Sequence, residues 1–167
     1  MSKKSRQYLG LLCAVLSYYF IHEGAHLIYA LMIGALKKIK FMGLGIQIDI
    51  YVEKVSPEQL GYFCIIGSMA TLIVAYILIF FIKKIRNTPS KVFKAIMYYT
   101  TLALLFADPL YLSVLYRFVG GGDMNGIALL FSQKGASCMY GCILLLNLLS
   151  FWKIVLPQYK TAFTENN

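Results

Sequence analysis

The chain is short of charge, and above all of negative charge. Of its 167 residues only seven are Asp or Glu and two are His, and charged side chains make up 14%, against about 25% in soluble domains. That scarcity excludes an ordinary water-soluble globule, whose surface needs charged cover. Cysteine is sparse too. Cys13, Cys64, Cys138 and Cys142 all lie in apolar runs, with neither a disulfide framework nor a CxxC zinc knuckle, and they read as small packing residues. No internal repeat is present, which excludes a solenoid.

What is abundant is apolar. Hydrophobic residues reach 59% and the mean hydropathy is +0.68, more greasy surface than a soluble core of this size can bury, so the bilayer is the expected solvent. The net charge of +9 would suit nucleic acid, but the cations sit in clusters at the ends of apolar runs: Lys3, Lys4 and Arg6; Lys37, Lys38 and Lys40; Lys83, Lys84 and Arg86. That is membrane-flanking charge, which meets anionic lipid head groups. No nucleic-acid partner is expected.

A membrane span takes roughly 20 apolar residues. Four runs qualify: Tyr8 to Leu36, Leu60 to Ile82, Val92 to Phe118 with an interruption at Asp108-Pro109, and Ala136 to Leu156 ending at Pro157. The expected class is an all-α polytopic membrane protein with four transmembrane helices and a short β segment after the first. Residues 1–157 would form a single membrane-embedded unit and residues 158–167 a polar, frayed tail. The first run is too long for a cleaved signal and reads as a retained span. An inside N-terminus puts ten of the sixteen basic residues inside and six outside, a small bias toward that orientation of a multi-pass protein in the cell membrane.

The connections add detail. Ile46-Gln47-Ile48-Asp49-Ile50 alternates with period two and predicts a strand, with Gly43 and Gly45 at a hairpin turn or bulge. An exposed edge there could pair with an extended peptide. Between the third and fourth spans, Gly120-Gly121-Gly122-Asp123 breaks the chain, and Ile127 to Phe131 returns to apolar surroundings. Gly67, Ser68, Ala70 and Thr71 read as small residues for close helix packing, and Asn147 as a helix-to-helix hydrogen bonder.

The first span holds the chain's only histidines, in His22-Glu23-Gly24-Ala25-His26. Residues four apart share a helix face, so both imidazoles can reach one metal with Glu23 beside it. This HExxH spacing gives two ligands and a general base for a metal-activated water. An ionisable group near the bilayer centre costs about 3 kcal/mol on insertion scales, so three in five residues call for a compensating partner. Catalytic zinc takes three protein ligands and keeps one position open. With no third histidine, a carboxylate or a cysteine must serve, and the cysteines read as packing residues. Glu165 lies in the tail, and Asp49, Glu53 and Glu58 lie in the first connection, which leaves Asp123 and Asp108.

An HExxH in a first span, then a strand-like segment, then a span with small residues, then an aspartate-glycine motif by a later span: this order, over roughly Ser17 to Ile127, resembles the site-2 protease type of intramembrane zinc metalloprotease. The distal motif is usually Leu-Asp-Gly, and here reads Gly122-Asp123-Met124-Asn125-Gly126. Ser68 and Thr71 stand where the family often has a Gly-Pro-x-x-Asn pattern. The resemblance implies zinc held by His22, His26 and Asp123, Glu23 as the catalytic residue, and a transmembrane protein or peptide as substrate. The other readings of the same residues are a metal-binding scaffold without catalysis, and a small transporter with a polar path along His22, Glu23, Asp108 and Asp123.

Overall fold

Four serines set the starts of four long helices. The hydroxyls of Ser2, Ser56, Ser90 and Ser132 accept the backbone N–H of the residue three further on, at 3.1–3.2 Å, the N-cap bond that satisfies one of a helix's orphan donors. At Ser56 the Gln59 side chain returns the bond to the cap's own N–H, completing a capping box. A computed structural model describes residues 1–43 and 45–164. In chain order its elements are α1 (Lys3–Met32), β1 (Leu36–Met42), β2 (Gly45–Ile50), α2 (Pro57–Phe80), α3 (Ile82–Arg86), α4 (Lys91–Val119), α5 (Gly122–Leu130) and α6 (Gln133–Thr164).

The fold is helical with one two-stranded sheet after the first helix, as the composition and alternation indicate. α1, α2, α4 and α6 are long and apolar enough to cross a membrane. Their outward faces are apolar as well: Phe20, Phe80 and Phe118 are each 78–80% exposed, large side chains that water would not leave in such numbers. β1 and β2 pair antiparallel, Ile39 opposite Ile48 and Lys40 opposite Gln47, around a turn at Gly43. Leu36 therefore belongs to a strand and not to the first span. The strand had been masked by its own lysines, which in sequence look like a flanking cluster.

Two further boundaries differ from the expectation. α4 runs unbroken through Asp108-Pro109, and α6 runs through Pro157 to Thr164. The tail is thus helical as far as Thr164, with Tyr159 and Ala162 buried against the bundle. Residues 165–167, Glu165 among them, lie outside the described residues. A proline inside a helix removes the N–H that would bond the carbonyl four residues back. For Pro109 that carbonyl is Leu105, and Asn147 of α6 donates to it at 2.6 Å. Tyr76 of α2 holds the same amide from the other side at 2.6 Å. The bonding of Asn147 anticipated from sequence is thereby given a reason. Just beyond Pro109, Tyr111–Leu115 adopts a π-helical turn, the kind of local widening found at functional positions.

The packing separates the molecule into two apolar clusters. One lies around Phe63, Leu112, Met124, Ile127 and Tyr140, between α2, α4, α5 and α6 on the hairpin side. The other, around Ala75, Leu104, Leu105, Val155 and Tyr159, lies toward the end where α1 and α4 begin. The polar groups of interest lie on α1 and on the helices facing it.

Candidate metal centre

α1 carries His22 and His26 one turn apart on its inward face, 6% and 3% exposed. The chain break at Gly120–Gly122 brings α5 back over them. Gly120 takes φ +102°, a conformation that side chains rarely accept, and its carbonyl receives the Tyr111 hydroxyl at 2.8 Å. The turn so fixed puts Asp123 in the first turn of α5, with its carboxylate over the imidazole pair.

Three atoms converge. His22 Nε2 and His26 Nε2 are 3.1 Å apart, and Asp123 Oδ2 stands 3.2 Å from the first and 3.7 Å from the second. Metal–ligand bonds of 2.0–2.2 Å at the tetrahedral angle put donor atoms about 3.3–3.5 Å apart, and each of the three separations lies within a few tenths of an ångström of that range. His22, His26 and Asp123 could hold a metal ion.

Asp108 does not join them. Its carboxylate faces the opposite nitrogen of His22, Nδ1, at 3.3 Å. It also accepts the Tyr18 hydroxyl and the Thr71 hydroxyl, each at 2.5 Å. The metal-competent group is thus His22, His26 and Asp123, and Asp108, the other carboxylate open from the sequence, is not part of it. Asp108 acts behind the site. A carboxylate at Nδ1 keeps the proton there and leaves Nε2 of the neutral ring as a lone pair. That lone pair then faces the Asp123 oxygen and His26 Nε2, and a cation relieves the repulsion among three such donors. The chemistry of the donor set fits a metal.

Access and clearance point the same way. Asp123 keeps 23% of its side chain exposed, so the cluster opens toward solvent on that flank. Gly67 brings the α2 backbone against the imidazoles: a Cβ at this position would lie 2.5 Å from His26 Nε2 and 2.8 Å from His22 Nε2. Gly67→Ala should therefore push the rings apart and abolish stoichiometric metal binding while the helices still form. Metal analysis beside a circular-dichroism spectrum checks this, and a fully loaded variant would refute the crowding. Among the described residues His26 Nδ1 is buried with no hydrogen-bond partner.

Glu23 lies one residue on from His22, and its carboxylate accepts the backbone N–H of Ile48 at 3.1 Å. The hairpin is thereby tied to α1 beside the cluster. Asp49 instead bridges Lys40 across the strands at 2.6 Å, and neither Glu53 nor Glu58 belongs to the metal-competent group.

Of the residues singled out in the sequence, His22, His26 and Asp123 come together and Glu23 lies beside them. Sequence reasoning missed Tyr18, Thr71 and Gly67. Tyr18 sits four residues before His22 on the same helical face, and Thr71 four after Gly67. That periodicity was the available signal, but packing alone explains small residues equally well. No protein-family model, curated protein or solved structure matches the chain.

Proposed function

We propose that this chain is a membrane-embedded metallopeptidase of the site-2 protease type, cutting peptide bonds of membrane-spanning segments. The observation that carries the proposal is the 3.1–3.7 Å triangle of His22, His26 and Asp123 donors, set on a helix apolar enough to span a bilayer, with the Glu23 carboxylate on the same helix one residue on from His22. Zinc suits the two-imidazole, one-carboxylate set, and when bound it supplies Lewis acidity to a carbonyl and to water.

The chain's own residues do the rest. His22 and His26 are pre-oriented by the helix, and Asp108, Tyr18 and Thr71 lock the His22 ring. Glu23 is placed to take a proton from the attacking water as the new C–O bond forms. It then returns that proton to the amine nitrogen as the C–N bond breaks. The substrate backbone has a place to lie. Because Ile48 gives its N–H to Glu23 and not to β1, the backbone groups of Ile46 and Ile48 face outward along the free edge of β2. An unwound peptide can add to that edge beside Glu23.

The test uses the full chain in liposomes with a transmembrane peptide. Zinc-loaded protein should yield two fragments by mass spectrometry, and a zinc chelator should abolish them until zinc is restored. In the same assay Ile48→Pro, which removes an outward N–H and spares the ladder to β1, should keep zinc and lose cleavage. No fragments from the loaded protein, across a panel of spanning peptides, would sink the proposal.

A further inference from the structure

α5 is short, yet it delivers the third donor of the cluster, and its place is set by α2. The two helices run antiparallel and meet through glycines. A Cβ at Gly61 of α2 would overlap the Leu130 side chain at the end of α5. A Cβ at Gly126 of α5 would overlap Cys64 Sγ, stand 2.7 Å from Cys64 Cβ and lie 3.1 Å from the Leu60 carbonyl oxygen. Small side chains are what let helices in a membrane approach this closely.

These pairings form a ladder. Gly61 meets Leu130, and one turn on, Cys64 meets Gly126. One further turn pairs the level of Gly67 with that of Asp123. Gly67 is where the α2 backbone lies against both imidazoles. The register of α5 on α2 therefore brings the Asp123 carboxylate level with His22 and His26, where its Oδ2 stands 3.2 and 3.7 Å from their Nε2 atoms. The start of α5 is held from α4 as well. Tyr111 Oη donates to the Gly120 carbonyl at 2.8 Å, and a Cβ at Gly122 would lie 2.5 Å from the same hydroxyl.

We propose that Gly126 and Tyr111 are positioning residues for Asp123. Gly126 sets the depth at which α5 seats on α2, and Tyr111 ties down the turn that leads into it. The inference rests on the metal-site reading of the cluster and not on peptide hydrolysis. Neither residue offers an atom to the ion. Ligand distances tolerate only about 0.2 Å, so lifting α5 off α2 by part of a methyl group's width withdraws the carboxylate from the shell that the imidazoles define.

Zinc titration of the full-length protein in detergent, followed by calorimetry with circular dichroism beside it, tests the assignment. Gly126→Ala should keep the helices and weaken zinc binding by about 10- to 100-fold, the usual loss for a group that orients a ligand. Cys64→Gly opens the space that the new methyl needs. Gly126→Ala/Cys64→Gly should therefore regain most of that affinity, although a glycine inside a helix lowers stability. General loosening of the bundle gives the opposite order, with the double variant binding more weakly than the single one. Tyr111→Phe removes one hydroxyl from a partly buried side chain and should weaken zinc by about 2- to 10-fold, the worth of one neutral hydrogen bond. It decides the matter should Gly126→Ala not fold. Undiminished affinity in the folded single variants, or no recovery in the double variant, would overturn the proposal and leave the metal site standing. A parent protein that takes up no zinc would overturn it together with the metal-site reading.

Discussion

Glu23→Gln should retain a full equivalent of metal and lose peptide hydrolysis by about 10²- to 10⁴-fold, the range in which a positioned general base contributes. The separation of the two readouts is what makes the result informative. Glu23 contributes no atom to the triangle of donors, so the metal has no reason to leave. The glutamine carbonyl oxygen can still accept the Ile48 N–H that Glu23 accepts at 3.1 Å, so the hairpin stays in place. Only the capacity to take up a proton is gone. A metal-holding scaffold without catalysis would show no change in its function on this substitution, and turnover close to that of the parent would remove Glu23 from the mechanism.

Asp123→Ala should empty the site of metal, whereas Asp108→Asn should only weaken binding, by about 10- to 100-fold, the usual loss on changing a group that orients a ligand from behind. The two carboxylates lie on opposite nitrogens of one imidazole, Asp123 at Nε2 and Asp108 at Nδ1. Asp123 is partly exposed at the start of a helix, so its truncation leaves no void in the core. Asp108 is 1% exposed and holds the hydroxyls of Tyr18 and Thr71, which an asparagine oxygen can still accept in part. Metal titration monitored by calorimetry ranks the two. The reverse ranking would exchange their roles.

The histidines were legible because two imidazoles and a carboxylate stand out in an apolar run, and a spacing of four fixes their common face. The strand Ile46 to Ile50 was legible from its alternation, and Asn147 from its isolation in a span. Asp108 and Asp123 could be narrowed to a pair but not told apart from spacing. Which nitrogen each reaches depends on how α4 and α5 return to α1, and that is set by the π-helical turn at Tyr111–Leu115 and the φ of Gly120. Prolines misled twice. Pro109 and Pro157 read as breaks, but a helix packed on its neighbours can tolerate a missing donor when another side chain supplies the bond, as Asn147 does for Leu105.

The Ile48 amide is spoken for by Glu23 in the form seen here, and a guest strand docking on β2 needs that same amide. Both cannot have it. On the proposed mechanism the arriving substrate would therefore displace the carboxylate from its resting anchor and free it at the moment a scissile bond is alongside. Idle enzyme would keep its base sequestered, sparing bystander helices in the lipid from stray hydrolysis.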